Sequence, residues 1–213
     1  MPTKLIYFVR HGETESNTQG IRQGAEGSLT QRGREQALAT AKRFPKQKGS
    51  PQIIFASPFQ RTKETAEIIA KELNLKIKYT DLLKERRNPT EILGYWSGDR
   101  EVRAITDFID KSYHADDLRV SDEENFVDLK KRAKKLLSFI SRKWQKKIIM
   151  VTHSRFLKLV VSYMIYDDKL TASQYNNLSY FNKIENAGMA ICSYTHHWLK
   201  KDEWKVIVWN DLD

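Results

Sequence analysis

The sequence predicts an α/β fold, a three-layer α/β/α sandwich with a mostly parallel central sheet. Strand-like and helix-like segments alternate along the 213 residues, which is the usual order when helices connect parallel strands. Three strand-like segments are apolar throughout, as expected for buried strands. These segments are residues 5–9, 52–56 and 147–152. Neither a repeat nor a long linker interrupts the pattern, so we expect residues 1–213 to form a single domain.

In the first half of the chain, glycines and prolines separate the predicted elements. A loop with Gly20, Gly24 and Gly27 lies between the first strand and a helix that Pro45 and Gly49 would end. The further elements predicted in this half are helices at residues 30–44 and 59–73, a strand at residues 75–79, and an irregular segment at residues 84–100.

The second half is predicted to be mainly helical before a closing β-hairpin. Helices are predicted at residues 100–112, 124–145, 154–165 and 171–178. Two strands, residues 187–195 and 204–209, would pair through a turn at residues 200–202. The tryptophans of this end are expected to pack in the core and the hairpin: Trp198, Trp204 and Trp209.

The composition excludes several classes of protein. With 40% hydrophobic and 30% charged residues, the chain is expected to be globular and not disordered. No apolar run reaches the ~20 residues that a membrane helix needs. The first strand begins within a few residues of Met1, so no secretory signal peptide is expected. The single Cys192 excludes an internal disulfide and lies in an apolar segment, so we predict a packed thiol and a cytoplasmic location without a membrane partner.

A formal net charge of +10 raises the question of a nucleic-acid partner. Much of the basic excess lies between Lys130 and Lys147, where apolar residues recur every three or four positions. Those apolar residues are Phe126, Leu129, Ala133, Leu136, Leu137, Ile140 and Trp144. This spacing is typical of an amphipathic helix with lysines on its solvated face, and aromatic residues do not interleave with the lysines as base stacking would require. We therefore expect no nucleic-acid partner.

The residues after the three apolar strands point to an anion-binding site. Arg10 and His11 follow the first strand, Arg61 lies in the first turn of the helix after the second, and His153 follows the third. The carboxyl ends of strands are where open α/β sheets bind ligands, so we expect these side chains to converge. Arginines, histidines and helix N-termini together suit a phosphate group. No carboxylate cluster of the kind that magnesium needs accompanies them, so we predict neither a metal nor a cofactor.

Several separated segments resemble the histidine phosphatase superfamily, whose members are also called phosphoglycerate mutase-like proteins. The segment from Arg10 to Thr14, with Asn17, is similar to the signature in which the histidine becomes phosphorylated. The other similar blocks are residues 29–37, residues 57–62 with Thr65 and Ala66, residues 83–86, residues 124–126 with Arg132, and residues 151–153. The blocks occur in the family's order over nearly the whole chain, so the resemblance implies a phosphoglycerate mutase-like fold.

The resemblance also implies catalytic roles for three residues. His11 would attack phosphorus and form a phosphohistidine. Glu85 would protonate the leaving oxygen and then take a proton from water. His153 would hold phosphoryl oxygens, and the nearby negative charge of a phosphate would raise its pKa.

Four further residues are expected to bind the substrate. Arg10 and Arg61 would stabilise the charge on the phosphoryl oxygens, with Asn17 as an additional donor. Ser154 stands where the family commonly has glycine, so its hydroxyl would either bind the phosphate or cap the following helix. Ser16 stands where many relatives have tryptophan, so contacts beyond the phosphate are expected to differ.

Other polar residues have less specific interpretations. Arg86 and Arg87, next to the predicted acid, either read substrate charge or brace their loop, and the sequence favours neither. The remaining histidines lack the spacing of metal ligands and are expected on the surface or the hairpin: His114, His196 and His197.

The function predicted from these residues is a metal-independent phosphomonoester hydrolase that acts through phospho-His11 on a small phosphorylated substrate. One alternative is a mutase, which would return the phosphoryl group to a bound sugar acid. Residues 86–94 differ from the continuation found in glycolytic mutases, which favours the hydrolase. A second alternative is a catalytically inactive phosphate- or RNA-binding protein on the same fold. The natural substrate and the oligomeric state do not follow from the sequence.

Overall fold

The computed structural model describes residues 3–44, 49–111 and 116–212. Six strands in these ranges form one sheet. The strands are β1 (Thr3–Arg10), β2 (Ile53–Ala56), β3 (Ile77–Tyr79), β4 (Lys147–Thr152), β5 (Met189–Thr195) and β6 (Glu203–Asp211). The helices are α1 (Glu15–Thr18), α2 (Gln31–Lys42), α3 (Gln60–Leu73), α4 (Arg100–Lys111), α5 (Phe126–Ser141), α6 (Ser154–Tyr166) and α7 (Ala172–Phe181). Short 3₁₀ turns lie at Asp81–Leu83, Thr90–Ile92 and Asp167–Lys169.

The strand order of the sheet is β3-β2-β4-β1-β5-β6. The first four strands in this order run parallel, whereas β5 and β6 add an antiparallel hairpin at one edge. The predicted α/β class with a mostly parallel sheet is therefore confirmed. The three apolar strands predicted from the sequence correspond to β1, β2 and β4, which are neighbours. Their carboxyl ends consequently lie side by side.

Helices cover both faces of the sheet, which explains why the central strands are apolar throughout. On β1, Ile6 and Phe8 belong to a core that includes residues of α5 and α6. Tyr7 and Val9 point to the other face and belong to a core that includes residues of α2 and α3. Burying one such side chain contributes about 1.5–3 kcal/mol, so a shift of strand register by one residue would be costly. The two cores thereby fix the positions of the strand ends.

Side-chain caps decide where several helices begin. The Thr30 hydroxyl accepts a hydrogen bond from the Gly33 amide (2.9 Å) at the start of α2, and Asn125 Oδ1 accepts one from the Asp128 amide (3.1 Å) at the start of α5. Thr171 caps α7 in the same way. The predicted starts of α2 and α7 agree with these caps to within one residue, whereas α5 begins two residues later than predicted.

The predicted helix at residues 124–145 is wrong at its C-terminal end, because α5 ends at Ser141. The Lys4 ammonium group donates to the carbonyls of Ile140 (3.2 Å) and Ser141 (2.5 Å) in the last turn of the helix. Trp144 therefore lies beyond the helix and is 79% exposed, so it is not part of the apolar stripe. The lysines of α5 do lie on its solvated face, where Lys131, Lys134 and Lys135 are exposed.

Two further differences concern the ends of the chain. Trp198 is 82% exposed, contrary to the prediction that it packs in the core or hairpin, whereas Trp204 and Trp209 are partly buried against the core. The one-turn helix α1 was not predicted. Thr14 and Asn17 form a reciprocal capping box that closes this short turn after the first strand.

The remaining predictions about single residues have separate outcomes. Cys192 is fully buried, and burial raises the pKa of its thiol to about 12, in agreement with the predicted packed thiol. His196 is exposed and His197 half-buried beside the hairpin. Pro45 and His114 lie outside the described residues. Within the described ranges, none of the helices is long and apolar enough to cross a membrane.

Candidate active site

The register of the central strands brings His11 and His153 together. In the parallel pair β1–β4, Arg10 lies opposite Thr152, so the residues that follow them are also neighbours. The two imidazole ring centroids are 5.2 Å apart. Both rings are buried, with His11 4% exposed and His153 fully inaccessible. The structure thus brings together two histidines that are 142 positions apart in the sequence.

The hydrogen bonding of His11 defines its tautomer. Its Nδ1 lies 2.8 Å from the Gly12 carbonyl oxygen. A carbonyl oxygen only accepts hydrogen bonds, so Nδ1 must carry the hydrogen. The lone pair of a neutral imidazole is then on Nε2, and among the described residues no group forms a hydrogen bond with this nitrogen. His11 therefore has the form that a nitrogen nucleophile requires.

The surroundings of His11 keep its imidazole neutral. Burial lowers its pKa well below the usual value, and the positive charges of Arg61 and Arg10 lower it further. The hydrogen bond to the Gly12 carbonyl acts in the opposite direction but is the smallest contribution. A nucleophile with a free lone pair is consequently maintained at neutral and mildly acidic pH.

We expect the free energy of unfolding to decrease as the pH falls from about 7 to about 5. His11 and His153 have lowered pKa values in the folded protein, whereas the unfolded chain binds protons at the ordinary value of 6.5. Below pH 6.5 the unfolded chain binds more protons than the folded protein. Each decrease in pH therefore lowers the free energy of unfolding until the pH passes the folded-state pKa values. The loss is at most about 1.4 kcal/mol per pH unit for each histidine. Urea denaturation at several pH values measures this slope, and His11→Ala should make it shallower; an equal slope in both proteins would contradict a buried neutral His11.

Close backbone packing holds the loop that carries His11. A Cβ atom on Gly12 would lie 2.3 Å from the carbonyl oxygen of Gly33, so a larger residue does not fit without displacing the loop. The Gly12 amide donates to the Thr65 hydroxyl (3.1 Å), which in turn donates to the Arg61 carbonyl (2.7 Å). Contacts from α2 and α3 thereby position the nucleophile.

Ser57 orients the second histidine. Its hydroxyl oxygen lies 2.9 Å from His153 Nε2, whereas His153 Nδ1 is buried without a hydrogen-bond partner among the described residues. If Ser57 donates to Nε2, Nδ1 carries a hydrogen that a phosphoryl oxygen can accept. The ring also packs edge-on against Phe59, with centroids 5.2 Å apart.

The protein groups around His153 act on its pKa in the opposite direction to a bound phosphate, which is the group that the sequence-based expectation of a raised pKa concerns. Burial lowers its pKa well below the usual value, and the charges of Arg61 and other cationic groups act in the same direction. The protein groups alone therefore favour a neutral ring. The expected positive charge requires the negative charge of a phosphate to outweigh them.

Two arginines flank the histidines, as the sequence predicts. Arg10 Nη1 donates to the Ile184 carbonyl (2.8 Å), and its Nε is buried without a partner in the described part of the chain. Arg61, in the first turn of α3, is 3% exposed and donates from Nη1 to the Gly24 carbonyl (2.8 Å). Burial lowers the pKa of Arg61 to about 10, while the negative charge of Glu85 raises it. Each guanidinium is thus held at one nitrogen and keeps other donors for a ligand.

Glu85 is fixed at the N-terminus of α6. Its Oε1 accepts hydrogen bonds from the amides of Arg86 and Phe156, both 2.9 Å, and its Oε2 accepts one from the Arg155 amide (3.2 Å). The carboxylate satisfies two free N–H groups at the start of this helix. Its Oε2 accepts only one of the three bonds, so it keeps a lone pair for a proton.

The predicted helix cap at Ser154 is wrong. His153 is the residue that precedes α6, its side chain makes no capping bond, and Ser154 is the first helical residue. The cap comes instead from Glu85, a residue far away in sequence. Ser154 does line the cavity described below, so its predicted role in binding phosphate stays a prediction.

A partly buried ion pair braces the segment before Glu85. Arg132 forms a bidentate pair with Glu124 (2.7 and 2.6 Å) and donates to the Lys84 carbonyl (2.6 Å). On the other side of the segment, the Thr152 hydroxyl donates to the Leu83 carbonyl (2.8 Å). These contacts explain why the block around Glu124 and Arg132 accompanies the acid in the sequence.

Arg86 and Arg87 both brace their loop in the structure. Arg86 is buried and forms an ion pair with Glu123 at 3.3 Å. Arg87 Nε donates to the Asp122 carbonyl (2.5 Å). Of the two interpretations that the sequence leaves open, the bracing role is therefore favoured.

Asn17 lies at the cavity wall as part of the α1 capping box. Its Oδ1 accepts hydrogen bonds from the Thr14 amide (3.3 Å) and from Asn186 Nδ2 (3.1 Å). Asn186 also donates to the His11 carbonyl (3.3 Å). Asn17 is therefore held by the same network that surrounds the His11 loop, and its predicted contact with phosphate stays a prediction.

A cavity of about 550 Å³ opens over these groups. The predicted site residues that line it are Arg10, His11, Asn17, Arg61, Glu85 and Ser154. His153 is fully buried behind the lining residues, with its ring against that of His11. It also contains cations that sequence reasoning missed: Arg22, Arg155 and Lys158. The two on α6 are three positions apart directly after the His153 block, a spacing that could have revealed them as neighbours on one helix face. Among the described residues, no group of three or more His, Cys, Asp or Glu is arranged to hold a metal ion.

Comparison with protein families gives a match over nearly the whole chain. The model of the histidine phosphatase superfamily (branch 1) matches residues 6–212. This range includes all the predicted site residues: Arg10, His11, Asn17, Arg61, Glu85, His153 and Ser154.

Individual relatives match this chain over different lengths and with different sequence identities. A metal-independent phosphoserine phosphatase from Arabidopsis thaliana is 33% identical over 162 residues, which cover 73% of this chain and 66% of that protein. A Salmonella paratyphi C protein, "Probable phosphoglycerate mutase GpmB", is 42% identical over 81 residues, 38% of this chain and 37% of its own length. The matched segments thus span less than two thirds of either relative. The structure of a mycobacterial glucosyl-3-phosphoglycerate phosphatase superposes with a TM-score of 0.77 at 21% identity, covering 98% of this chain and 99% of that one, which shows a common fold.

Proposed function

The chain belongs to the histidine phosphatase superfamily, and on this premise we propose that it is a metal-independent phosphomonoester hydrolase that acts through a phosphohistidine. The observation that carries the proposal is the state of His11. Its ring is neutral, its Nδ1 donates to the Gly12 carbonyl, and its Nε2 lone pair lies in a cavity lined by Arg10 and Arg61. A nucleophile beside two phosphate-binding cations is the minimum that transfer of a phosphoryl group to the enzyme requires.

In the first proposed step, His11 Nε2 attacks phosphorus. The N–P bond forms while the P–O ester bond breaks, and the ester oxygen takes a proton from Glu85. Arg10 and Arg61 would neutralise charge on the three other phosphoryl oxygens, and His153 Nδ1 would donate a hydrogen bond to one of them. Preformed donors of this kind need little rearrangement during the reaction.

In the second proposed step, water releases the phosphoryl group. The Glu85 carboxylate takes a proton from a water molecule, whose oxygen attacks phosphorus as the P–N bond breaks. The electron pair of that bond returns to His11 Nε2, and inorganic phosphate leaves. One carboxyl group can serve both steps because the first leaves it deprotonated.

The mutase alternative is supported by the partial likeness to the Salmonella protein. A mutase would pass the phosphoryl group from His11 to a bound sugar acid instead of to water. Residues 88–94, which follow the acid and its bracing arginines, form a loop with one 3₁₀ turn, and Asn88 lines the cavity.

Product analysis separates the two reactions. We expect incubation with 3-phosphoglycerate, in the presence of a metal chelator, to yield free phosphate and no 2-phosphoglycerate. Accumulation of 2-phosphoglycerate would support the mutase. Loss of phosphate release on chelation would contradict the metal-independent mechanism. Absence of both products from 3-phosphoglycerate, phosphoserine and p-nitrophenyl phosphate would favour a non-catalytic phosphate-binding protein.

The proposed substrate is a small phosphorylated metabolite. The printed activity of the Arabidopsis relative makes phosphoserine the first compound to test. The cavity of about 550 Å³ is larger than a phosphate group requires, so it has room for the organic part of such a molecule. A cytoplasmic location remains part of the proposal, since the one cysteine is a buried free thiol.

A further inference from the structure

The cavity continues beyond its phosphate-binding end into a region with a second group of cations. Arg22 lies in the loop after α1, whereas Arg155 and Lys158 lie one helical turn apart on α6. The loop position of Arg22 is fixed by the backbone, because its amide donates to the Tyr95 carbonyl (3.0 Å) and its carbonyl accepts from the Gly94 amide (2.9 Å). These three cations, Arg22, Arg155 and Lys158, are called the outer cations below.

The outer cations have hydrogen-bonding capacity that the protein does not use. Arg22 Nε is buried without a partner, and within residues 3–44, 49–111 and 116–212 neither the Arg22 nor the Arg155 guanidinium forms a side-chain hydrogen bond or ion pair. Lys158 Nζ donates once, to the Ser179 carbonyl (2.8 Å), and keeps two further hydrogens. A buried donor such as Arg22 Nε is normally satisfied, so an external acceptor is indicated.

The outer cations also repel one another. Burial lowers the pKa of both Arg22 and Lys158, and the positive charge of Arg155 lowers each of them further. Asp110 and Glu85 offset this repulsion only in part. An anion placed between the outer cations would remove the repulsion and satisfy their free donors together.

The charges of the residues that line the cavity indicate how much negative charge a bound ligand can carry. Among the described residues that line it, five side chains are cationic and two are carboxylates, an excess of three positive charges. The cations are Arg10, Arg22, Arg61, Arg155 and Lys158, and the carboxylates are Glu85 and Asp110. A phosphomonoester dianion balances two of the three charges. At least one positive charge remains, also when Glu85 is protonated as the first step requires, and a further anionic group such as a carboxylate can balance it.

The position of the outer cations limits the distance between the two anions. An α-helix rises 1.5 Å per residue, so the backbones of Arg155 and Lys158 lie about 3 and 7.5 Å beyond that of His153 along the axis of α6. Both side chains line the same cavity as His11, so a carboxylate bound by them and a phosphoryl group bound at His11 can belong to one small molecule. Short phosphorylated acids carry both groups.

We propose that the outer cations form a second anion subsite, which binds a carboxylate on the leaving group of the substrate. The substrate class is then a phosphorylated hydroxy acid or amino acid. This inference rests on the proposed hydrolase function, since it assigns the part of the substrate that leaves. Arg22 and Arg155 supply the free guanidinium donors, and Lys158 adds charge.

Two phosphomonoesters that differ only by a carboxylate test the subsite. Phosphoserine has the carboxylate that phosphoethanolamine lacks, and both have the same phosphate and ammonium groups. We expect kcat/KM of the wild-type protein to be at least about tenfold higher for phosphoserine. Arg155→Gln and Arg22→Gln should each reduce this ratio about tenfold or more, mainly by raising KM for phosphoserine.

A matched variant controls for the loss of surface charge. Lys135→Gln removes one positive charge from the exposed face of α5, outside the cavity, and should leave the ratio as in the wild type. Equal kcat/KM for the two compounds in the wild-type protein would overturn the subsite. The same holds if Arg155→Gln and Arg22→Gln change the ratio no more than Lys135→Gln does. Faster turnover of a bisphosphorylated diol than of phosphoserine would overturn the assignment to a carboxylate.

A binding measurement keeps the subsite testable without turnover. In the His11→Ala variant, calorimetry should show at least about tenfold tighter binding of phosphoserine than of phosphoethanolamine. This preference together with no phosphate release from the wild-type protein would contradict the hydrolase and support the subsite. Turnover of both compounds by the wild-type protein, with no preference in binding to the variant, would support the hydrolase and overturn the subsite.

Discussion

Replacement of His11 by alanine is expected to reduce the release of phosphate from every phosphomonoester by about a thousandfold or more. In the proposed mechanism the Nε2 lone pair of His11 is the group that forms a bond to phosphorus, and alanine has no atom that can replace it. The arginines of the cavity would still bind the substrate, so the loss should appear in kcat. The measurement is phosphate release from p-nitrophenyl phosphate. Its leaving group needs little protonation, so the measured rate depends little on the general acid.

The same variant should remain folded. His11 lies at a strand end among polar groups, and its removal leaves both apolar cores intact. We expect its circular dichroism spectrum to match that of the wild type. His196→Ala, which changes an exposed histidine beside the hairpin, is the matched control and should retain activity. Activity of His11→Ala within about tenfold of the wild type would contradict His11 as the nucleophile.

Replacement of Glu85 by glutamine is expected to affect the two steps of the reaction differently. General acid catalysis typically contributes about 10²- to 10⁴-fold, and it matters most when the leaving oxygen is a strong base. Formation of the phosphoenzyme should therefore slow by about a hundredfold or more with an alkyl phosphate such as phosphoserine, but little with p-nitrophenyl phosphate. Attack by water still needs the base, so the second step should slow with both substrates.

Rapid mixing distinguishes the two steps of the Glu85→Gln variant. With p-nitrophenyl phosphate we expect a burst of p-nitrophenol close to one equivalent of enzyme, followed by slow turnover. The burst also shows that the variant is folded, which matters because glutamine loses one of the hydrogen bonds to the α6 N-terminus. Equal slowing of the first step with the alkyl and the aryl phosphate would contradict Glu85 as the acid.

The sequence predicts those parts of the site that depend on which residues directly follow each strand. Apolar runs that end in Arg10-His11 and in Thr152-His153 identify strands covered on both faces, and parallel strands place such ends at one edge. The register of Arg10 opposite Thr152 then brings the two histidines together without any further assumption. The same reasoning places Arg61 in the first turn of α3.

The parts of the site that the sequence does not predict depend on contacts between distant segments. Local capping preferences favour Ser154 as a helix cap, but Glu85 accepts hydrogen bonds from the Arg155 and Phe156 amides from another loop. The end of α5 at Ser141 depends on an ammonium group from β1. Arg22 comes to face the outer cations of α6 only because the loop after α1 is hydrogen-bonded to Tyr95. Periodicity along the chain contains no information about such pairs.

The central claim is the covalent bond between phosphorus and His11 Nε2, and trapping of the phosphoenzyme tests it most directly. The Glu85→Gln variant would be mixed with p-nitrophenyl phosphate, denatured in alkali, in which phosphohistidine survives, and digested for mass spectrometry. We predict one phosphate on the peptide that contains His11, which is lost on treatment with acid and is absent when His11→Ala is combined with Glu85→Gln. Phosphate on a different residue, or a burst of p-nitrophenol with His11 unmodified, would contradict the mechanism.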